Sequence, residues 1–377
     1  CTFAHGSTGI RLAKEFGFCY GVERAIDLAY AARRHFPREQ PVYILGEIIH
    51  NPHVNEQIRD MGVTFLSGTY KAANLNDLGE GDPVVIPAFG TEVGITDKLN
   101  ERGCTIIDAT CGDVMSVWKR VRQNAREQVT SIIHGKAWHE ETKATSSQAK
   151  AFGSGHYLVV FDLDETDQVC RYITQGGDRA KFLQKFKGAV SDGFDPDQHL
   201  NTIGLANQTT MLRGETEEVQ RRLRKAMIEK HGADALGEHF RFFDTICGAT
   251  QDRQDALKDL LSRPMDLLLV VGGYNSSNTS HLAEMGEGQL PTYFIKDASE
   301  MVSVKRLRHF LQHTHEMANA ENWLPLDGEL TIGITAGASC PNNLIEEVIL
   351  RAYELRGAAA SEVLASIHVG AAAAAAD

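Results

Sequence analysis

Three cysteines, Cys19, Cys111 and Cys247, each sit between a strand-like run and an amphipathic helical pattern. Asp108-Ala109-Thr110-Cys111-Gly112 follows Thr105-Ile106-Ile107 and precedes Val114, Val117 and Val121, which share one helical face. Phe16-Gly17-Phe18-Cys19-Tyr20-Gly21 precedes Val22, Ala25, Ile26 and Ala29 in the same way, and Asp244-Thr245-Ile246-Cys247-Gly248 precedes Ala249, Arg253, Ala256, Leu257 and Leu260. A helix N-terminus presents unsatisfied N–H groups and the positive end of the dipole, which favour thiolate over thiol. Thiolates are metal ligands. Cysteines this widely dispersed cannot form a local finger; they meet only where three strand–helix units converge. The bland alternative is three small apolar residues at strand ends.

Two further stretches suit an anion. Gly272-Gly273-Tyr274-Asn275-Ser276-Ser277-Asn278 follows the run Leu267 to Val271, and Thr335-Ala336-Gly337-Ala338-Ser339 follows Leu330 to Ile334. Each precedes a helical pattern, with Pro341 expected at a first helical position. Glycines and small hydroxyls before a helix let N–H and O–H donors surround phosphate oxygens. No P-loop string accompanies them. His50 and His139 also follow strands, and an imidazole there serves as cation, donor or metal ligand. A carboxylate near such a site, from Glu140 or Glu141, can carry a proton. Thr209, in Asn207-Gln208-Thr209-Thr210, offers a hydroxyl.

The elements that must position these residues read as α/β. Apolar runs at Val42 to Leu45, Val84 to Thr91, Thr130 to Ile133, His156 to Phe161 and Thr202 to Ala206 alternate with helical patterns and carry their polar residues at the C-terminal ends, where open α/β sheets bind ligands. The reading is three pseudo-repeated small parallel-sheet α/β lobes over residues 10–110, 111–246 and 247–357, followed by an alanine-rich tail over 358–377. Gly176 to Asp197 is expected to be a surface excursion, Val304 to Phe310 a helix and Met317 to Glu329 a loop.

Composition narrows the class. The chain has 377 residues, 42% of them hydrophobic and 23% charged, as a globular protein with a sizeable core requires. A net charge of -12 argues against a nucleic-acid surface, and no run is long enough for a membrane helix. Seven thinly spread cysteines suit a reducing compartment better than a disulfide framework. The chain begins at Cys1 and not at a methionine, so its start is expected to be processed or trimmed, a removed transit peptide being one such case.

The motifs GFCYGVERAI around Cys19, GEIIHNPHV around His50, DATCGDV around Cys111, HEET around Glu141, NQTT around Thr209, ICGATQDRQ around Cys247, NSSNT around Ser276 and TAGASCP around Ser339 resemble those of the 4-hydroxy-3-methylbut-2-enyl diphosphate reductases, the LytB-type iron-sulfur enzymes of the non-mevalonate isoprenoid pathway. The likeness spans roughly Arg11 to Leu355. It implies a three-lobed α/β fold around a central [4Fe-4S] cluster, held by Cys19, Cys111 and Cys247, with one iron left open. It implies an allylic diphosphate substrate whose diphosphate is gripped by His50, His139, Ser276, Ser277, Asn278 and Ser339. Its hydroxyl would bind the open iron and leave as water after two electrons and two protons, giving isopentenyl or dimethylallyl diphosphate. Glu141 is assigned proton delivery, with Thr209 placing the hydroxyl and passing the proton. No flavin or nicotinamide fingerprint is present, so the electrons imply a ferredoxin or flavodoxin.

One departure stands out. Many family members carry His-Gly where this chain has Phe89-Gly90, so a histidine of the grip is missing; Lys136 is a possible source of the lost charge. Phe89-Gly90 and His134-Gly135-Lys136 resemble the longer plant and cyanobacterial branch, which implies a bacterial cytoplasm or a plastid stroma. Competing classes are a non-catalytic iron-sulfur redox sensor, which needs no anion seats, and a zinc-stabilised binding protein, which would be colourless.

Overall fold

The computed structural model describes residues 2–153, 155–359, 361 and 363. The alanine-rich tail beyond residue 363 lies outside them. Contacts divide the chain into two compact units: one holds the residues up to Tyr20, His50–His53 and those from Gly248 on, the other Gly21–Ile49 and Val54–Cys247. No helix among the described residues is long and apolar enough to cross a membrane.

The second unit contains two four-stranded sheets, both wholly parallel, as the alternation of runs and helices requires. In one, the order is Val63–Phe65, Val42–Ile44, Pro83–Ile86, Thr105–Asp108; in the other it is Phe240–Phe242, Ile203–Asn207, Thr130–His134, Tyr157–Val160. Pro83–Ile86, Thr130–His134 and Ile203–Asn207 are buried at every position, as strands of a parallel sheet covered on both faces are, so they show no in–out alternation.

The first unit carries a seven-stranded mixed sheet in the order Thr2–His5, Thr8–Leu12, Leu330–Ala336, Leu267–Val271, Thr292–Ile295, Arg306–Leu311, Glu316–Glu321. Its four central strands are parallel and its flanks are antiparallel. The chain is thus α/β, but its third sheet is neither small nor wholly parallel. Ile10 pairs with Ile332 in this sheet, away from the Val42–Ile44 sheet that follows it in sequence.

Four local expectations are corrected. Arg306–Leu311 is a strand, not a helix, and it forms a hairpin with Glu316–Glu321, where a loop was expected. Leu307 is fully buried between exposed Arg306 and Arg308; that period-two exposure is a strand's, and the short run resembles a helix only when its cations are ignored. The stretch from Gly176 to Asp197 is not a surface excursion. It folds as Arg179–Lys185 and the start of Pro196–His199 and buries Phe182, Phe186 and Phe194 in the core over the Ile203–Asn207 sheet. Pro341 is the N-cap of Asn342–Leu355, one position earlier than expected.

Sheet order places the loops. In both parallel sheets, and in the seven-stranded sheet from Leu267–Val271 on, successive strands are laid down to one side of one strand and then to the other, and ligands bind beyond the strand ends where that order reverses. The reversal falls between Val42–Ile44 and Pro83–Ile86, between Thr130–His134 and Ile203–Asn207, and between Leu267–Val271 and Leu330–Ala336. His50, His139, Glu141, Thr209, Ser276 and Ser339 follow strands at these reversals, whereas Cys19, Cys111 and Cys247 follow Thr8–Leu12, Thr105–Asp108 and Phe240–Phe242.

Candidate active site

The DATCG turn is fixed by its backbone. Asp108 accepts the Thr110 N–H through Oδ1 at 2.9 Å, and the Cys111 N–H donates to Ala88 O at 2.8 Å. Arg24, from the helix Tyr20–His35, donates to Thr110 O at 3.2 Å and to Asp108 O at 3.4 Å. Cys111 is then the N-cap of Gly112–Arg126. Cys247 immediately precedes Gly248–Leu261 and Cys19 immediately precedes Tyr20–His35. All three are half-buried. Among the other described thiols, burial pushes Cys340 and Cys170 up to about 12, and Cys104 is raised by burial and by Asp82. Those three stay protonated at neutral pH. The donors that suit a metal are the ones at helix starts.

Within the second unit, neighbouring strands bring distant residues together. His134 and Asn207 are paired across Thr130–His134 and Ile203–Asn207, so the loops that follow emerge side by side. Glu141, 3% exposed, accepts the Thr209 N–H through Oε1 at 2.6 Å. The Thr209 carbonyl accepts the Cys247 N–H at 3.2 Å. A carboxylate, a threonine and a candidate metal ligand therefore form one connected backbone-anchored chain. His139 is the N-cap of Glu140–Ser147, and its Nδ1 accepts the Glu141 N–H at 3.1 Å. With Nδ1 used as an acceptor, the neutral ring carries its proton on Nε2 and offers a donor there. Gln208 braces the same loops: its Oε1 accepts from Lys136 N at 3.1 Å and Thr142 Oγ1 at 3.0 Å, and its Nε2 donates to Thr210 Oγ1 at 2.8 Å.

Within the first unit, His50, Ser276 and Ser339 come together. Ser276 caps Ser277–Glu287, accepting from Thr279 N at 3.3 Å and from Thr279 Oγ1 at 3.0 Å. The Ser339 hydroxyl lies 3.3 Å from Ser276 Oγ and 3.4 Å from the carbonyl of His50. This packing requires two glycines without side chains. A Cβ on Gly273 would lie 2.1 Å from His50 O, and one on Gly337 would lie 2.0 Å from Thr279 Oγ1. Ser277 and Asn278 follow in the first turn, both buried. Asn278 has an internal task, since its Oδ1 accepts the Ala338 N–H at 3.0 Å and its Nδ2 donates to Thr250 Oγ1 at 3.4 Å. It ties the Ser276 loop to the Ser339 loop.

Sequence reasoning missed several positioning residues. Arg253, 4% exposed, donates to Gly17 O at 2.6 Å and to Ala249 O at 2.9 Å, holding the loop whose Cys19 N–H donates to Ala338 O at 3.2 Å. The available signal was an arginine at a core-facing helical position. Phe89, standing where a histidine was expected, is half-buried beside Gly90, where a Cβ would lie 2.3 Å from Trp118 Cζ2.

The model of the LytB protein family matches residues 10–352. The chain belongs to the LytB family. Among LytB relatives, it is 50% identical over 355 residues to the 4-hydroxy-3-methylbut-2-enyl diphosphate reductase of Thermosynechococcus vestitus, covering 94% of this chain and 86% of that one. It is 46% identical to the enzyme of the same description from Gloeobacter violaceus, covering 97% and 87%. These relatives agree with the cyanobacterial likeness read at Phe89-Gly90. Among solved structures, the E-1-hydroxy-2-methyl-but-2-enyl-4-diphosphate reductase from Plasmodium falciparum has the same fold, with a TM-score of 0.65 at 22% identity over 90% of this chain and 86% of that one. A structure of (E)-4-hydroxy-3-methyl-but-2-enyl diphosphate reductase, described as the terminal enzyme of the non-mevalonate pathway, gives a TM-score of 0.54 at 27% identity over 93% and 100%.

Proposed function

We propose that this chain reduces 4-hydroxy-3-methylbut-2-enyl diphosphate to isopentenyl and dimethylallyl diphosphate, the last step of the non-mevalonate isoprenoid pathway. LytB membership and the named relatives support the reaction. The observation that carries the residue roles is the buried Glu141 carboxylate bonded at 2.6 Å to the Thr209 N–H, with Cys247 bonded to the same residue's carbonyl.

The donor set fits an iron-sulfur cluster. Cys19, Cys111 and Cys247 are half-buried thiols at or just before helix starts and would hold the cluster, since thiolate ligands select iron-sulfur clusters. Three ligands serve a four-iron cluster with one iron open. A bound [4Fe-4S] cluster supplies one-electron reducing equivalents and an iron position that the protein leaves free.

Every other part falls to this chain's own residues. The hydroxyls of Ser276, Ser277 and Ser339, with the N–H groups opening Ser277–Glu287, form a dipole-assisted seat for diphosphate oxygens. His50 and the Nε2–H of His139 add donors. Asn278 holds two loops of the seat and acts through them. Thr209, its main chain fixed at both ends, presents its hydroxyl to the substrate's alcohol. Glu141 moves the proton: two electrons and two protons break the allylic C–O bond, release water and form one C–H bond. The electrons come one at a time from a ferredoxin- or flavodoxin-class carrier, in a bacterial cytoplasm or a plastid stroma.

The test is anaerobic. Reduced viologen dye is mixed with brown, freshly purified protein, and its oxidation is followed before and after adding substrate. Consumption that begins only with substrate is the expected result. Absence of consumption by protein containing iron and sulfide would overturn the proposal in favour of a redox sensor.

A further inference from the structure

The helix Gly112–Arg126, which starts at Cys111, turns a strongly basic face to solvent in a chain of net charge -12. Met115, Lys119, Arg120, Arg122 and Arg126 are exposed along it, and the helix contains one acid, Asp113. Glu127, just past its end, is engaged by Arg241. Met115, Trp118, Lys119, Arg122 and Arg126, with Asp108, line a groove of about 340 Å³.

The three arginines are held in place. Arg122 Nε donates to Gln148 Oε1 at 2.7 Å, the Arg126 guanidinium lies 4.4 Å from the centre of the Phe152 ring, and that of Arg120 lies 4.6 Å from the centre of Phe243. Preset cations lose less side-chain freedom when a partner binds. Met115, 38% exposed, supplies an adaptable apolar contact among them. Methionine and arginine together are the composition of protein–protein contacts. At a rise of about 1.5 Å per residue, Met115 lies about 6 Å and Lys119 about 12 Å along the axis from Cys111.

We propose that this face is the docking surface for a small acidic one-electron carrier protein of the ferredoxin or flavodoxin class, which delivers its electrons toward the Cys111 end of the helix. The proposal rests on reading Cys111 as a cluster ligand. Two molecules of reduced carrier are oxidised for each substrate reduced, one electron from each. Carboxylates on the carrier meet Lys119, Arg122 and Arg126, so encounter is steered by charge and weakened by salt.

The test uses the cluster-loaded protein and an acidic [2Fe-2S] ferredoxin as probe. A carbodiimide joins carboxylates of the oxidised ferredoxin to lysines of the wild-type chain, and the links should map to Lys119. The double variant Lys119→Glu/Arg126→Glu should raise the ferredoxin Kd about tenfold or more and lower kcat/KM for reduced ferredoxin to match, with loss of the salt dependence. Turnover driven by reduced methyl viologen, which needs no docking, should stay within about twofold. A control variant, Arg171→Glu/Lys225→Glu, reverses two charges lining a separate groove between Leu163–Gln175 and Arg213–His231 and should leave the ferredoxin rate unchanged.

Links that map away from Gly112–Arg126 overturn the proposal, and they are read on the wild-type chain, whatever charge reversal does to folding. An unchanged Kd in the double variant, or an equal loss in the control, overturns it too. Failure of the wild-type chain to oxidise viologen with substrate would instead overturn the reductase reading beneath it.

Discussion

Replacing Gly273 by alanine adds one methyl group where the structure has no room for it. The new Cβ would lie 2.1 Å from His50 O and 3.0 Å from His50 C, whereas a carbon–oxygen contact settles at about 3.3 Å or more. The obstacle is backbone, so the His50 peptide must retreat by roughly 1 Å, and with it the carbonyl that the Ser339 hydroxyl approaches at 3.4 Å. Overpacking of this kind costs about 1–3 kcal/mol of stability. A displacement of about 1 Å in a positioned group costs up to about 100-fold in catalysis. The loss should fall mainly on KM, since the diphosphate seat moves while Glu141 and Thr209 do not. Steady-state kinetics with viologen as reductant, alongside iron and sulfide content, separate these effects. Gly288→Ala is the control, because nothing lies within 4 Å of a Cβ there. A Gly273→Ala enzyme with wild-type KM and stability would refute the account of how the seat is packed.

Glu141→Gln keeps an oxygen to accept the Thr209 N–H but cannot deliver a proton; cluster content and KM should persist while kcat falls about 10²- to 10⁴-fold, and a rate within a few-fold of wild type would remove Glu141 from that role. Cys111→Ser should cost the brown colour itself, since two thiolates hold a cluster poorly, and a fully loaded variant would contradict the ligand set. Asp297 is buried, which alone would raise its pKa, but hydrogen bonds from His53 at 2.8 Å and from Ser299 hold it down at about 2. A carboxylate lowered on folding stabilises the protein above its unfolded pKa of about 3.9 and ceases to do so as pH falls toward 2. Asp297→Asn should therefore lower stability by up to about 2 kcal/mol at pH 7, with the gap to wild type closing below about pH 4. Urea unfolding midpoints across pH would show it, and a gap that widened on acidification would reverse the sign.

What could be read from the chain, and what could not, follows from the range of the interactions. A cysteine between an apolar run and a helical period is a local pattern, and Cys19, Cys111 and Cys247 all stand where that pattern put them. The Ser276 cap is equally local, since its partner is Thr279. The bond from Glu141 to Thr209 exists because Thr130–His134 and Ile203–Asn207 are neighbours in a sheet whose order is not the chain order. No local spacing encodes that order. Arg253 and Gly17 are further apart still in the chain, and the only trace of their contact is a cation on an apolar helix face. The hairpin Arg306–Leu311 with Glu316–Glu321 is set by its cross-strand pairing; the alternation of exposed Arg306 and Arg308 about buried Leu307 is its one local sign, and it covers too few residues to outweigh a helical reading.

The most direct measurement of the central claim is a balance sheet for one anaerobic turnover in deuterated water. Cluster-loaded protein, reduced viologen and 4-hydroxy-3-methylbut-2-enyl diphosphate are mixed, and dye oxidised and product formed are counted together, the product by mass spectrometry. The account predicts two dye molecules oxidised per isopentenyl or dimethylallyl diphosphate, one solvent deuteron in each product and the diphosphate intact. Dye oxidation without those products, or products without solvent deuterium, would contradict it.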